Sequence, residues 1–219
     1  MLTIDVLRPS IKIQKYKKTK RNAGYSLIEL TIALSILAVI IVGALVGVQK
    51  ILRSNAVNNE LKALPVTIAA AQRLTNNLAT LNGLTSNTFL KLGVWPQDRV
   101  VGAGANQTVS NYFGGFQYLN PNSAAVAGYP IEQIFVLTLT NIPTEACSDI
   151  ISGMDSMALG LYIGQNITSD PAGAVATTVV KNPGDATNAA ARGMNLTNLA
   201  QICGGAGGQR VRIDMLIGR

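Results

Sequence analysis

Histidine is absent from the 219 residues. Without an imidazole there is no Ser-His-Asp or Cys-His nucleophilic arrangement, and most zinc sites lose their usual nitrogen ligand. Charge is scarce as well: Asp, Glu, Lys and Arg together make up 13% of the chain. A convergent catalytic set is therefore poorly supplied, and an enzyme is not expected. The glycine-rich Cys203-Gly204-Gly205-Ala206-Gly207-Gly208 lacks the lysine and the strand-to-helix context of a phosphate loop. No metal or cofactor site is expected.

The net charge of +7 is misleading. Residues 1–24 hold Arg8, Lys12, Lys15, Lys17, Lys18, Lys20 and Arg21 against Asp5 alone. The rest of the chain is close to balance, and its basic residues (Lys91, Arg99, Lys181, Arg192) are scattered. A nucleic-acid surface is not expected. Cysteine is limited to Cys147 and Cys203. An even pair outside the cytoplasm reads as one disulfide, with two buried free thiols as the alternative.

What is present begins with a long apolar run. Tyr25–Val48 would make a helix about 36 Å long, enough to cross a hydrocarbon core of about 30 Å. The basic tract before it predicts a cytoplasmic N-terminus and an external body. A secretory signal would place a small-residue cleavage site after the run; here Ala23-Gly24 precedes it. Glu29 stands near the front of the run, and no charged residue follows until Lys50. A carboxylate at that depth calls for a partner. Gly43 and Gly47 form a G-x-x-x-G pair, a possible close-packing face or a coincidence of an apolar segment.

The helical period continues beyond the run. Val57, Leu61, Leu64, Ile68, Ala71, Leu74, Leu78 and Leu81 recur at spacings of three and four, with Glu60, Lys62, Gln72 and Arg73 among the residues of the polar side. One helix from Tyr25 to Leu81 is predicted, kinked at Pro65 and stopped at Asn82-Gly83. Residues 84–130 are dense in turn signals and read as a connecting region with one short element at 88–92. Strands are expected at 132–141, 159–163, 175–180 and 210–217. Helices are expected at 144–158, N-capped by Thr144, and at 196–202.

The segment Gly24-Tyr25-Ser26-Leu27-Ile28-Glu29-Leu30 resembles the processing site of type IV pilins. The resemblance implies cleavage after Gly24 by a prepilin peptidase, N-methylation of Tyr25, and an assembly role for Glu29. Cleavage would free an ammonium at Tyr25, and residues four apart on a helix share a face. Glu29 could then pair with its own amine or a neighbour's; the family implies the neighbour's.

The long leader, the tyrosine at the first mature position and the size of the mature chain look like the type IVb subgroup. So do Leu137–Pro143 followed by Cys147, and the late Cys203 before a last strand. That subgroup implies an α+β fold, a long helix packed on an antiparallel sheet, with a C-terminal region bounded by the disulfide. Residues 1–24 would be a removed leader, 25–48 the transmembrane and fibre-core helix, 49–83 its amphipathic half, and 84–219 the head. Pro65 lies near a common family proline, while an earlier one is missing; Gly43 and Gly47 are candidates for that flexibility.

The function so implied is that of a major pilin. It would be a homo-oligomeric filament subunit held in the inner membrane and then extruded by assembly machinery and its ATPases, serving adhesion, aggregation or conjugation. A minor pilin or secretion pseudopilin shares the same N-terminus. A membrane-anchored enzyme or sensor is the reading from a different class.

Overall fold

The computed structural model describes residues 26–182, 184, 193–205 and 208–219. They form two units, one ending at Val46 and one running from Gly47 to Arg219. The first unit is the front of helix α1 (Leu27–Thr75). The second contains the rest of α1 and a head with helices α2 (Ser86–Lys91), α3 (Thr144–Met154) and α4 (Leu196–Cys203).

Seven strands complete the head: β1 (Val100–Val101), β2 (Thr108–Ser110), β3 (Phe116–Pro121), β4 (Ile134–Pro143), β5 (Gly160–Gln165), β6 (Thr178–Lys181) and β7 (Arg210–Gly218). They make one sheet in the order β1-β2-β3-β4-β7-β5-β6. Every pairing is antiparallel. The last of these strands lies in the middle of the sheet, between β4 and β5.

Alternation along β4 and β7 assigns their two faces. Phe135, Leu137 and Leu139 join Ile213, Met215 and Ile217 in the main core. Leu64, Ile68 and Ala71 of α1 belong to that core, as do Ala146, Cys147, Ile150, Ile151 and Met154 of α3. Gly153 lets the two helices approach, because a Cβ there would overlap the Leu61 methyls. The intervening residues Ile134, Val136 and Leu216 pack on the other face with Tyr162 and Ala176. On that face Asp214 is fully buried. It accepts hydrogen bonds from Thr138 Oγ1 (2.7 Å), Arg212 Nε (2.9 Å) and the Ala176 amide (2.7 Å).

Two expectations need correction. Helix α1 ends at Thr75 rather than at Asn82-Gly83. Thr75 Oγ1 bonds back to the Ala71 carbonyl at 2.9 Å, and such back-bonding weakens helix continuation. Arg219 then takes the carbonyls of Leu78 (2.9 Å) and Ala79 (2.7 Å), and Leu81 donates to Glu132 O. The end of the predicted stripe is therefore split: Leu81 is buried in a loop, while Leu74 and Leu78 are exposed.

The second correction concerns residues 84–130, which contain three strands besides α2. Buried asparagines replace the hydrogen bonding that long regular strands would supply. Asn122, fully buried, donates to Ala124 O (2.8 Å) and Pro130 O (2.7 Å) and accepts from the Gln133 and Ile134 amides. Asn111 holds the turn into β3 in the same way, donating to Thr140 O at 2.7 Å and accepting from the Phe113 and Gly115 amides. Gly115 is required there, since a Cβ would strike the Thr140 carbonyl.

The remaining differences are smaller. Helix α3 stops at Met154, short of Ala158, and its N-cap position is Pro143, so Thr144 is its first residue and makes no side-chain cap. Pro65 stands exposed inside α1, and helical structure continues through it.

Candidate assembly site

The front of α1 leaves its apolar side chains uncovered. From Leu27 (81% exposed) to Leu52 (63%), large hydrophobic residues stand in solvent on all sides of the helix. A helix apolar all round is built for burial in lipid or among other helices. Its polar interruptions are satisfied internally: Thr31 Oγ1 donates to Ile28 O at 2.8 Å, and Ser35 Oγ to Ile32 O at 2.7 Å. Neither hydroxyl needs water, so both are compatible with an apolar surrounding. Glu29, exposed in the first turn, is the exception. Gly43 and Gly47 present open helix surface, with nothing within 4 Å of a Cβ at either position. Gly24 and Tyr25 lie outside the described residues.

The back of α1 is fixed to the head by a buried ion pair that the sequence reading missed. Glu60, assigned there to the polar side, is fully buried. Its two oxygens accept from Arg99 Nη2 at 3.3 and 3.2 Å, and Oε2 also accepts from the Tyr112 amide at 3.1 Å. Arg99, just before β1, is 5% exposed and lies over the Tyr112 ring, 4.8 Å from its centroid. Burial pushes the Glu60 carboxyl above the usual carboxylate range, against the pull of Arg99 and the Tyr112 amide. A signal did exist: Val57, Glu60, Leu64, Thr67 and Ala71 share one helical phase, and all are buried.

Cys147 of α3 and Cys203 at the end of α4 form a disulfide, with 5.5 Å between their Cα atoms. The bridge ties α3 to α4 across the segment that includes β5 and β6. Beside it, Glu145 takes the Gly208 amide at 3.2 Å. Arg53 of α1 lies 3.9 Å from the same carboxylate, a loose, solvent-exposed contact of little energetic weight.

Comparison with known proteins agrees with this arrangement. The family described as "Prokaryotic N-terminal methylation motif" matches residues 19–45, and the family described as "PilS N terminal" matches residues 54–199. No curated protein sequence matches. The crystal structure of TcpA, a type IV pilin from Vibrio cholerae El Tor biotype, is similar with a TM-score of 0.51 and 14% identity, over 74% of this chain and 98% of that one. A type IV b pilin from Salmonella typhi gives a TM-score of 0.48 and 19% identity, over 74% and 99%. At such identity the first of these likenesses is one of fold: a long N-terminal helix on an antiparallel sheet.

Proposed function

The chain belongs to the family described as PilS N terminal and is a type IV pilin, and from that premise we propose that it is the major subunit of a type IVb pilus. The long basic leader and the tyrosine at the first mature position support the subgroup. Residues 1–24 are removed by a prepilin peptidase between Gly24 and Tyr25, and the new amine at Tyr25 is N-methylated. The methylation-motif match over 19–45 supports both steps.

Residues 25–48 hold the subunit in the inner membrane with the N-terminus cytoplasmic, as the basic tract favours. On assembly this helix leaves lipid for a bundle of like helices, and Glu29 neutralises the amine of a neighbouring copy. Gly43, Gly47 and Pro65 give the helix the flexibility that assembly needs. Residues 49–83 join the bundle to the head, and 84–219 form the outer surface. Membrane machinery and its ATPases supply the work, and the extracellular filament serves adhesion, aggregation or conjugation.

One observation carries the reading: the methylation motif coincides with a helix whose apolar side chains are uncovered all round. Mass spectrometry of purified filaments tests it. The expected result is one dominant subunit beginning at methylated Tyr25. A chain retaining Met1, or a subunit present only in trace amounts, would rule the proposal out.

A further inference from the structure

Just past its apolar span, helix α1 forms one wall of an open cleft whose other walls belong to the head. The cleft lies between Leu52, Arg53 and Ala56 of α1, Phe113 in the turn before β3, Glu145 of α3 and Arg210 of β7, and its volume is about 370 Å³, within the range of small-ligand sites. Three charged groups meet in it. Arg53 Nη2 stands 3.9 Å from Glu145 Oε1, too far for a good hydrogen bond, and this guanidinium has no hydrogen-bond partner among the described residues. Arg210 donates through Nη1 to Asn141 O at 3.1 Å; its Nε and Nη2 have no partner among the described residues. Glu145 Oε1 accepts from the Gly208 amide at 3.2 Å, which leaves Oε2 open. The residue's own amide, then the Gly208 amide, Arg53 and Arg210, hold this carboxyl below the usual carboxylate range against the effect of burial, so it is charged.

The position of the cleft along α1 limits what reaches it. Lys50 and Arg53 are the first charged residues after the apolar run that ends at Val48, and the helix continues unbroken through them. Arg53 follows Val48 by five positions, about 7.5 Å at the rise of an α-helix. The headgroup layer on each side of a bilayer core is about 5–7 Å thick. With residues 25–48 in the bilayer, the reading on which this inference rests, Arg53 stands at the level of the lipid headgroups. Leu52 and Tyr112, which also line the cleft, are exposed; an amphipathic aromatic ring suits a membrane interface.

We infer that this cleft binds the head of an ethanolamine phospholipid while the subunit waits in the membrane. That head carries both of the charges that the cleft complements. Its phosphate accepts from Arg53 and Arg210, and its ammonium, a two-carbon linker away, donates to Glu145. The Arg53–Glu145 contact is long and exposed, so a ligand that comes between the two groups sacrifices little. Other lipid heads fit less well. A phosphoglycerol head brings no cation for Glu145 and sets its own charge against that carboxylate. A choline head has a cation but no N–H to donate.

The test reconstitutes the full-length chain in vesicles of phosphatidylethanolamine, phosphatidylglycerol and phosphatidylcholine in equal amounts. Lipid retained by the chain after mild-detergent extraction is identified by native mass spectrometry. An alkaline wash beforehand reports on the span itself: release from the vesicles would refute the span, and the inference with it. Glu145→Gln keeps an oxygen for the Gly208 amide while removing the charge, and Arg53→Gln removes one exposed guanidinium. The expected result is preferential retention of the ethanolamine lipid, reduced about tenfold in each variant with an unchanged melting curve. In Glu145→Gln the preference should pass to phosphatidylglycerol, a change that a loosened fold would not produce. Should one variant alter the melting curve, the other decides. A wash-resistant chain that retains the three lipids alike, that prefers phosphatidylglycerol or phosphatidylcholine, or that keeps its ethanolamine preference in a variant that melts normally would overturn the site and leave the membrane span standing.

Discussion

Glu60 shows what a single carboxylate does when a fold closes over it. Arg99 lies 39 residues further along the chain and remains charged, so removing its partner strands a buried cation. Glu60→Leu is expected to cost about 3–5 kcal/mol in urea unfolding. Glu60→Leu with Arg99→Met should recover most of that loss, since an apolar pair can replace a buried ion pair. Additive losses in the double variant would disprove the coupling. The helical phase of Glu60 was legible in the sequence; its partner was not, because only the tertiary fold brings Arg99 to it.

The same residue gives the sign of a pH effect. Burial raises the carboxyls of Glu60 and Asp214 despite their hydrogen-bond donors and guanidinium neighbours. A carboxyl that holds its proton more tightly folded than unfolded stabilises the fold below its unfolded value. That contribution is lost as pH rises through the folded value. As pH rises above the ordinary glutamate value of about 4.3, Glu60→Gln should therefore flatten the stability profile measured by urea melts. An unchanged slope would show that burial does not raise this group.

At the scale of elements, every strand from β4 onward was legible in the sequence, and β1, β2 and β3 were not. Strands β4 and β7 and helices α3 and α4 were each expected within a few positions, although the cap expected for α3 at Thr144 is not formed. Strands β1 and β2 are two and three residues long and carry no periodicity to read. Their neighbourhood looked like loop because it is rich in Asn and Gly, yet Asn111 and Asn122 are buried and bond four backbone groups each. Pairing of the two cysteines was read from their number and the expected compartment, and the fold brings α3 and α4 together to make it. The bridge spans a sequence separation of 56 residues, which in the chain-entropy model is worth about 4 kcal/mol. Replacing both cysteines by alanine should lower the unfolding free energy by roughly that amount in denaturant melts. It should also abolish the difference between oxidised and reduced protein.

The whole molecule combines a folded head with a helix whose apolar side chains have no cover of their own. If assembly uses the pairing proposed for Glu29, then Glu29→Ala should leave processing intact while filament yield falls sharply, measured by mass spectrometry of the subunit and by quantifying sheared filaments. Normal yield from processed subunit would refute the pairing. The position of β7 has a consequence for timing. Residues 210–218 are the last of the described strands to be synthesised, yet they join β3-β4 to β5-β6. Without them the same strand order would divide into β1-β2-β3-β4 and β5-β6, each with an open edge able to pair with another chain. A copy lacking those residues cannot close its sheet, so the head completes only once translation has reached that strand, and an incomplete copy is marked by its own unpaired edges.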